Sequence, residues 1–146
     1  MGRKKIPEFD TNGNLPPGVY AVSMTNIETR YAYNTKRKQL FNGLKKALEN
    51  LKVAGVKKVW VNGSFITNKE KPNDIDGCWE YSQSMDVDKL DPVFLDMYPP
   101  REAMKKKYGV DFLISGAHLS DGGKTVEMFF QEDRDGNEKG ILVVVF

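Results

Sequence analysis

The segment from Val59 to Asp76 constrains the fold of this 146-residue chain more than any other. Its apolar run, Val59, Trp60 and Val61, reads as a buried strand. The run ends at Gly63 and Ser64, and after nine intervening residues the chain presents Asp74, Ile75 and Asp76. On an extended strand, residues i and i+2 share a face. Asp74 and Asp76 therefore look to one side while Ile75 enters the core. The segment reads as strand, polar loop, strand, with strands over about 57–62 and 74–81.

Around it the chain alternates helix and strand. Leu40, Phe41, Leu44, Ala47, Leu48 and Leu51 fall at helical spacing, which predicts a helix over 35–54 stopped by Gly55. Thr25 and Glu28 have the spacing of a capping box, so a short helix over about 25–32 is expected. Residues 86–96 read as a short helix or turn pair broken at Pro92, and Pro99-Pro100 opens a helix running to about Lys107. Val110 to Ile114 and Gly140 to Phe146 suit a third and a fourth strand. Residues 125–131 fit helix or strand, and 133–137 are a turn by composition. Residues 1–24 are rich in turn-formers and read as an ordered arm that buries Ile6, Phe9, Leu15, Val19 and Tyr20. These elements predict one domain over 1–146, of α/β (α+β) class, with helices packed against a mixed sheet.

Composition narrows the functional classes. Forty per cent apolar and 29 % charged residues suit a globular chain with its own core. No apolar run approaches the roughly 20 residues of a membrane helix, and the N-terminus has no apolar stretch of signal-peptide type. A cytoplasmic location and no membrane partner are the expectation. The single cysteine, Cys78, excludes an internal disulfide and a zinc cluster. A net charge of +2 argues against a dedicated nucleic-acid binder. The runs Lys36-Arg37-Lys38 and Lys105-Lys106-Lys107 read as solvated helix faces.

The chemistry lies in the carboxylates. Asp74 and Asp76 are hard oxygen ligands suited to Mg²⁺ or Mn²⁺. Asp111, flanked by Val110 and Phe112 on an alternating strand, is the candidate third acid, as metal ligand or base. Exposed amides at Gly63 and the Ser64 hydroxyl suit phosphate oxygens. Lys69 and Lys71 are candidates to neutralise a triphosphate, the plain alternative being solvated loop lysines. Thr67 and Asn68 either bond ribose or phosphate or simply close the turn. Trp79 is core or a base-stacking platform. Cys78 reads as a small buried residue, His118 as a loop residue, and Arg134 and Lys139 flank the last turn.

Gly63, Ser64, Asp74, Asp76 and Asp111 resemble the pattern of the DNA polymerase β-type nucleotidyltransferase superfamily, in particular its minimal single-domain bacterial members. The likeness extends through Leu90 to Asp96, Ala103 to Gly109 and Phe129 to Leu142, nearly the whole chain. It implies a nucleotidyltransferase-like sheet, with Ser64 and the amides near Gly63 on the β- and γ-phosphates of a nucleoside triphosphate. It implies Asp74, Asp76 and Asp111 as the magnesium site, and transfer of a nucleoside monophosphate to RNA (a tRNA 3′ end) or to a protein hydroxyl. The setting of similar families implies a toxin–antitoxin or phage-defence role, with a partner protein or a homo-oligomer supplying further surface. The chain departs from the pattern at Gly77, which stands where an apolar residue is expected, and a bend or bulge in the strand is the consequence to look for. The alternative reading is an inactive nucleotidyltransferase-fold binding module acting as antitoxin or regulator, and a third is a nuclease-like or structural use of the carboxylates.

Overall fold

The computed structural model describes residues 6–115 and 135–146. Five strands form one mixed sheet: β1 Val19–Ala21, β2 Lys58–Asn62, β3 Ile75–Trp79, β4 Val110–Ile114 and β5 Ile141–Val145. Their spatial order is β1-β5-β2-β3-β4. β2 is antiparallel to both β3 and β5, whereas β1 runs parallel to β5 and β4 parallel to β3. Three helices join them, α1 Met24–Tyr31, α2 Thr35–Val53 and α3 Glu102–Tyr108.

Strand alternation divides the sheet into two unlike faces. Val59, Val61, Ile75, Trp79, Val110, Phe112, Leu142 and Val144 share one core with the apolar residues of all three helices. The intervening residues face the other way, where Cys78 and Ile141 form a second small cluster with Trp60 and Leu113 against it. Asn62, Asp76 and Asp111 belong by alternation to this second face. The helical side supplies the bulk of the hydrophobic stabilisation, so the second face is free to carry polar chemistry.

The sequence reading holds for the main elements, though Pro99 and Pro100 form a turn ahead of α3 instead of opening it, and four further differences stand out. α1 begins one residue early, because Ser23 rather than Thr25 is its cap: Ser23 Oγ accepts from the Asn26 amide and Asn26 Oδ1 from the Ser23 amide. Residues 19–21, expected as part of an arm, are β1. Their ladder to β5 is continued by Val22, whose amide donates to Val143 O at 3.0 Å. Val19 itself is exposed, while Leu15 is buried and Ile6, Phe9 and Tyr20 pack on the core. The strand does not bulge at Gly77: the register runs unbroken from Val61 through Gly77 to Phe112. Glycine stands there because a Cβ would lie 2.3 Å from Trp60 O and 2.7 Å from the Phe112 ring.

Residues 86–96 are two 3₁₀ turns, Val87–Lys89 and Pro92–Leu95, as the break at Pro92 requires. The uncertain segment 125–131, together with His118 and Arg134, lies outside the described residues. Among those described, no helix is long and apolar enough to cross a membrane.

Candidate metal centre

The pairing of β3 with β2 and β4 assembles the centre. Asn62 pairs across from Asp76, and Asp76 from Asp111, so these three form one lateral row on the second face of the sheet. Asp74 stands two residues before Asp76, just ahead of β3. Asp74, Asp76 and Asp111 each offer a carboxylate oxygen, and these three oxygens lie within 4.8 Å of one another. The three acids expected from the sequence to converge do so, and the parallel β3–β4 register brings Asp111 in.

Gly63 is built into the centre by its lack of a side chain. At φ 81° and ψ −165° it occupies backbone space that essentially only glycine uses. A Cβ there would sit 2.3 Å from Asp76 Oδ2. The Asp76 carboxylate thus packs directly on the Gly63 backbone, and the following residues Ser64–Ile66 turn away as a single 3₁₀ turn.

The loop from there to Asp74 is held by an unexpected residue. Arg37 of α2 is completely buried. Its guanidinium donates to the carbonyl oxygens of Tyr31, Phe65, Thr67 and Lys69. No carboxylate pairs with it among the described residues, and burial holds its pKa below the usual guanidinium value. Asn34 adds a second tie: its Oδ1 caps α2 at the Arg37 amide and its Nδ2 donates to Glu70 O at 2.7 Å. The run Lys36-Arg37-Lys38, expected as a solvated face, therefore hides the clamp on the site's loop.

The other candidates divide. Thr67 Oγ1 donates to Ser64 O at 2.7 Å and accepts from the Lys69 amide, so its hydroxyl closes the turn. Lys69 is exposed and acts electrostatically on Asp74. Lys71 is exposed too. Trp79 and Cys78 are buried core residues.

Electrostatics set the three acids apart from ordinary surface carboxylates. Burial pushes Asp76 up to about 7, reinforced by the Asp74 and Asp111 charges and opposed by Lys139 and Lys105. Burial and then Asp111 raise Asp74, opposed by Lys105, Lys36 and Lys69. Asp111 is gripped by Arg101 and lies 3.8 Å from Lys105 Nζ. Carboxylates crowded together and partly desolvated resist ionisation until a cation arrives, and oxygen-only donors at this spacing suit Mg²⁺ or Mn²⁺. Lys36, Lys105 and Arg101 escaped the sequence reading as charges acting on the acids, since only packing brings them there.

Comparison with curated proteins and with solved structures returns no match. One family model does match, over residues 7–145, and the chain belongs to that family, DUF6932, a family of unknown function.

Proposed function

We infer that the chain is a Mg²⁺-dependent nucleotidyltransferase, moving a nucleoside monophosphate from a nucleoside triphosphate to a hydroxyl of RNA or protein. The observation that carries this reading is the meeting of three carboxylate oxygens within 4.8 Å beside a glycine whose backbone packs on Asp76. Asp74, Asp76 and Asp111 would hold the cation. A divalent cation in such a site supplies charge neutralisation at the transferring phosphorus and lowers the pKa of an attacking hydroxyl. The protein's own part is positional: β2, β3 and β4 fix the acids, and the Arg37 clamp fixes the loop after Gly63. Lys36, Lys69, Lys105 and Lys139 place positive charge around the acids, which favours a polyanionic substrate over a bare metal site. In the transfer, the acceptor oxygen bonds to the α-phosphorus, the bond to the bridging oxygen of the leaving pyrophosphate breaks, and the hydroxyl proton passes to a carboxylate or solvent.

One observation favours the second reading, a binding module with a closed site. The Arg101 guanidinium already occupies both oxygens of Asp111. One experiment separates the two. The protein is incubated with Mg²⁺, each labelled nucleoside triphosphate in turn, and total RNA or cell extract. Transfer of label that disappears in the Asp74→Ala/Asp76→Ala double variant supports the transferase. No transfer with any nucleotide supports the binding module, and metal-dependent RNA cleavage without nucleotide supports a nuclease.

A further inference from the structure

Asn62 ends β2 immediately before Gly63, and it completes the lateral row Asn62–Asp76–Asp111 across three strands. It is only 3 % exposed, and its Oδ1 has no hydrogen-bond partner. A buried amide oxygen without a donor costs stability, and native proteins rarely keep one. Among the described residues, the other fully buried side-chain polar atoms in the same condition are Arg30 Nε, Tyr31 Oη and Trp79 Nε1. Tyr31 and Trp79 belong to the helix-side core, and Arg30 stacks on Phe9. Asn62 alone of the four lies in the row of acids. An unpartnered acceptor in that place calls for a cation or for a donor carried by one, and neutral amide oxygens are ordinary ligands for hard divalent ions.

We propose that Asn62 contributes a neutral oxygen to a divalent cation held by Asp74, Asp76 and Asp111, either directly or through a water on that cation. The proposal rests on the cation-binding part of the function inferred above and not on its nucleotide chemistry. It accounts for an amide at this position. Three carboxylates already overbalance one divalent charge. A fourth carboxylate would add repulsion, whereas an amide adds an oxygen and no charge. It also accounts for a buried polar residue at the end of β2, after Val59, Trp60 and Val61, where a leucine would pack without an orphaned group.

The test is a calorimetric titration of the full chain with Mn²⁺ at pH 8, beside melting curves without metal. Asn62→Leu is expected to melt at or above the wild-type temperature and to bind Mn²⁺ about 10–100-fold more weakly, the range found when groups supporting a metal site are removed. Asn62→Asp, which keeps an oxygen, is expected to retain binding within about tenfold of wild type and to melt lower without metal. Equal Mn²⁺ affinity in wild type and Asn62→Leu overturns the proposal and leaves the three-carboxylate site standing. Absence of Mn²⁺ binding by the wild type overturns the proposal and the cation reading together. A readout that needs no variant is the Asn62 side-chain amide resonance, which is expected to shift on saturation with Mg²⁺. An unmoved resonance in a protein that has bound Mg²⁺ overturns the proposal.

Discussion

Arg101 grips Asp111 at both oxygens of its carboxylate, with Nε 2.5 Å from Oδ1 and Nη2 3.3 Å from Oδ2. The third nitrogen, Nη1, donates to Met97 O. Arg101 is the residue just before α3 and the only non-glycine residue with positive φ among those described, at 53°. Its charge thus does for Asp111 what a cation would do. The same oxygens cannot serve both partners at full strength, so metal and guanidinium compete.

Replacing Arg101 with glutamine removes the competitor while keeping a polar side chain of related length. Asp111 is left to the cation and to Lys105. The expected outcome is Mn²⁺ binding tighter by about tenfold, the equivalent of about 1.4 kcal/mol, together with a lower melting temperature in metal-free buffer. Calorimetric titration and a melting curve check both halves. Unchanged or weaker binding would mean that Asp111 is not a ligand.

The titration of Asp76 gives a pH signature. Its pKa rises from 3.8 unfolded to about 7 in the folded chain. A raised carboxylate pKa means that the folded state holds the proton more tightly. Stability is therefore fully present below about pH 4 and is lost as pH rises towards 7, by up to on the order of 4 kcal/mol. Divalent cation reverses the trend, because binding selects the ionised form. Without metal the melting temperature is expected to fall between pH 5 and pH 7, and the upward shift caused by Mn²⁺ is expected to grow over the same range. Melting curves at matched ionic strength decide it, and a metal-induced shift independent of pH would place the cation elsewhere.

Much of this centre was legible because its chemistry is local in sequence. Asp74 and Asp76 share a face by strand alternation, Gly63 and Ser64 close the preceding strand, and Val110 and Phe112 mark Asp111 as half-buried on another. What the sequence could not show is whatever packing alone brings together. Arg37 sits between two lysines in a run that reads as solvated, and only the approach of loop 65–69 and the end of α1 to the start of α2 gives its donors their carbonyls. Arg101 follows two prolines, with no periodicity to aim it at Asp111. β1 is three residues long and follows Pro16, Pro17 and Gly18, so local propensity spoke for an irregular arm until β5 offered an edge to pair with. Asn62 gave no signal of its own in the sequence, since its significance depends on the register that sets it beside Asp76.

Gly63→Ala tests whether the backbone contact with Asp76 matters. The new Cβ would meet Asp76 Oδ2 at 2.3 Å and the Asp76 Cβ and Cγ at 2.8 Å, in a backbone conformation foreign to alanine. Either the Asp76 side chain or the turn at Ser64 must move. A stability loss of roughly 1–3 kcal/mol is expected from the backbone strain alone, with Mn²⁺ affinity falling as well because the carboxylate is displaced. Urea denaturation and calorimetry measure the two effects. A variant that lost stability but kept its metal affinity would show that Asp76 relocates without consequence for the site.

Arg37→Met tests the clamp behind the loop. Methionine fills similar apolar volume but carries no donors, so the carbonyls of Tyr31, Phe65, Thr67 and Lys69 lose their shared partner. Those near the surface can turn to water, whereas Phe65 O and Tyr31 O meet the guanidinium in buried bonds and would be left unsatisfied. Losing them is expected to cost about 2–6 kcal/mol, since each unsatisfied buried acceptor costs about 1–3 kcal/mol. Removing the buried charge itself recovers part of its desolvation cost, which keeps the expected loss near the lower end. The effect should reach the centre through the loop: faster amide exchange at residues 65–69 and weaker Mn²⁺ binding, although Arg37 donates to none of the three acids. Hydrogen exchange read by mass spectrometry, beside urea denaturation, distinguishes this from a general loss of stability. If exchange quickens evenly over α2 and the sheet instead of first in the loop, Arg37 is a core residue and the site's loop is held by something else.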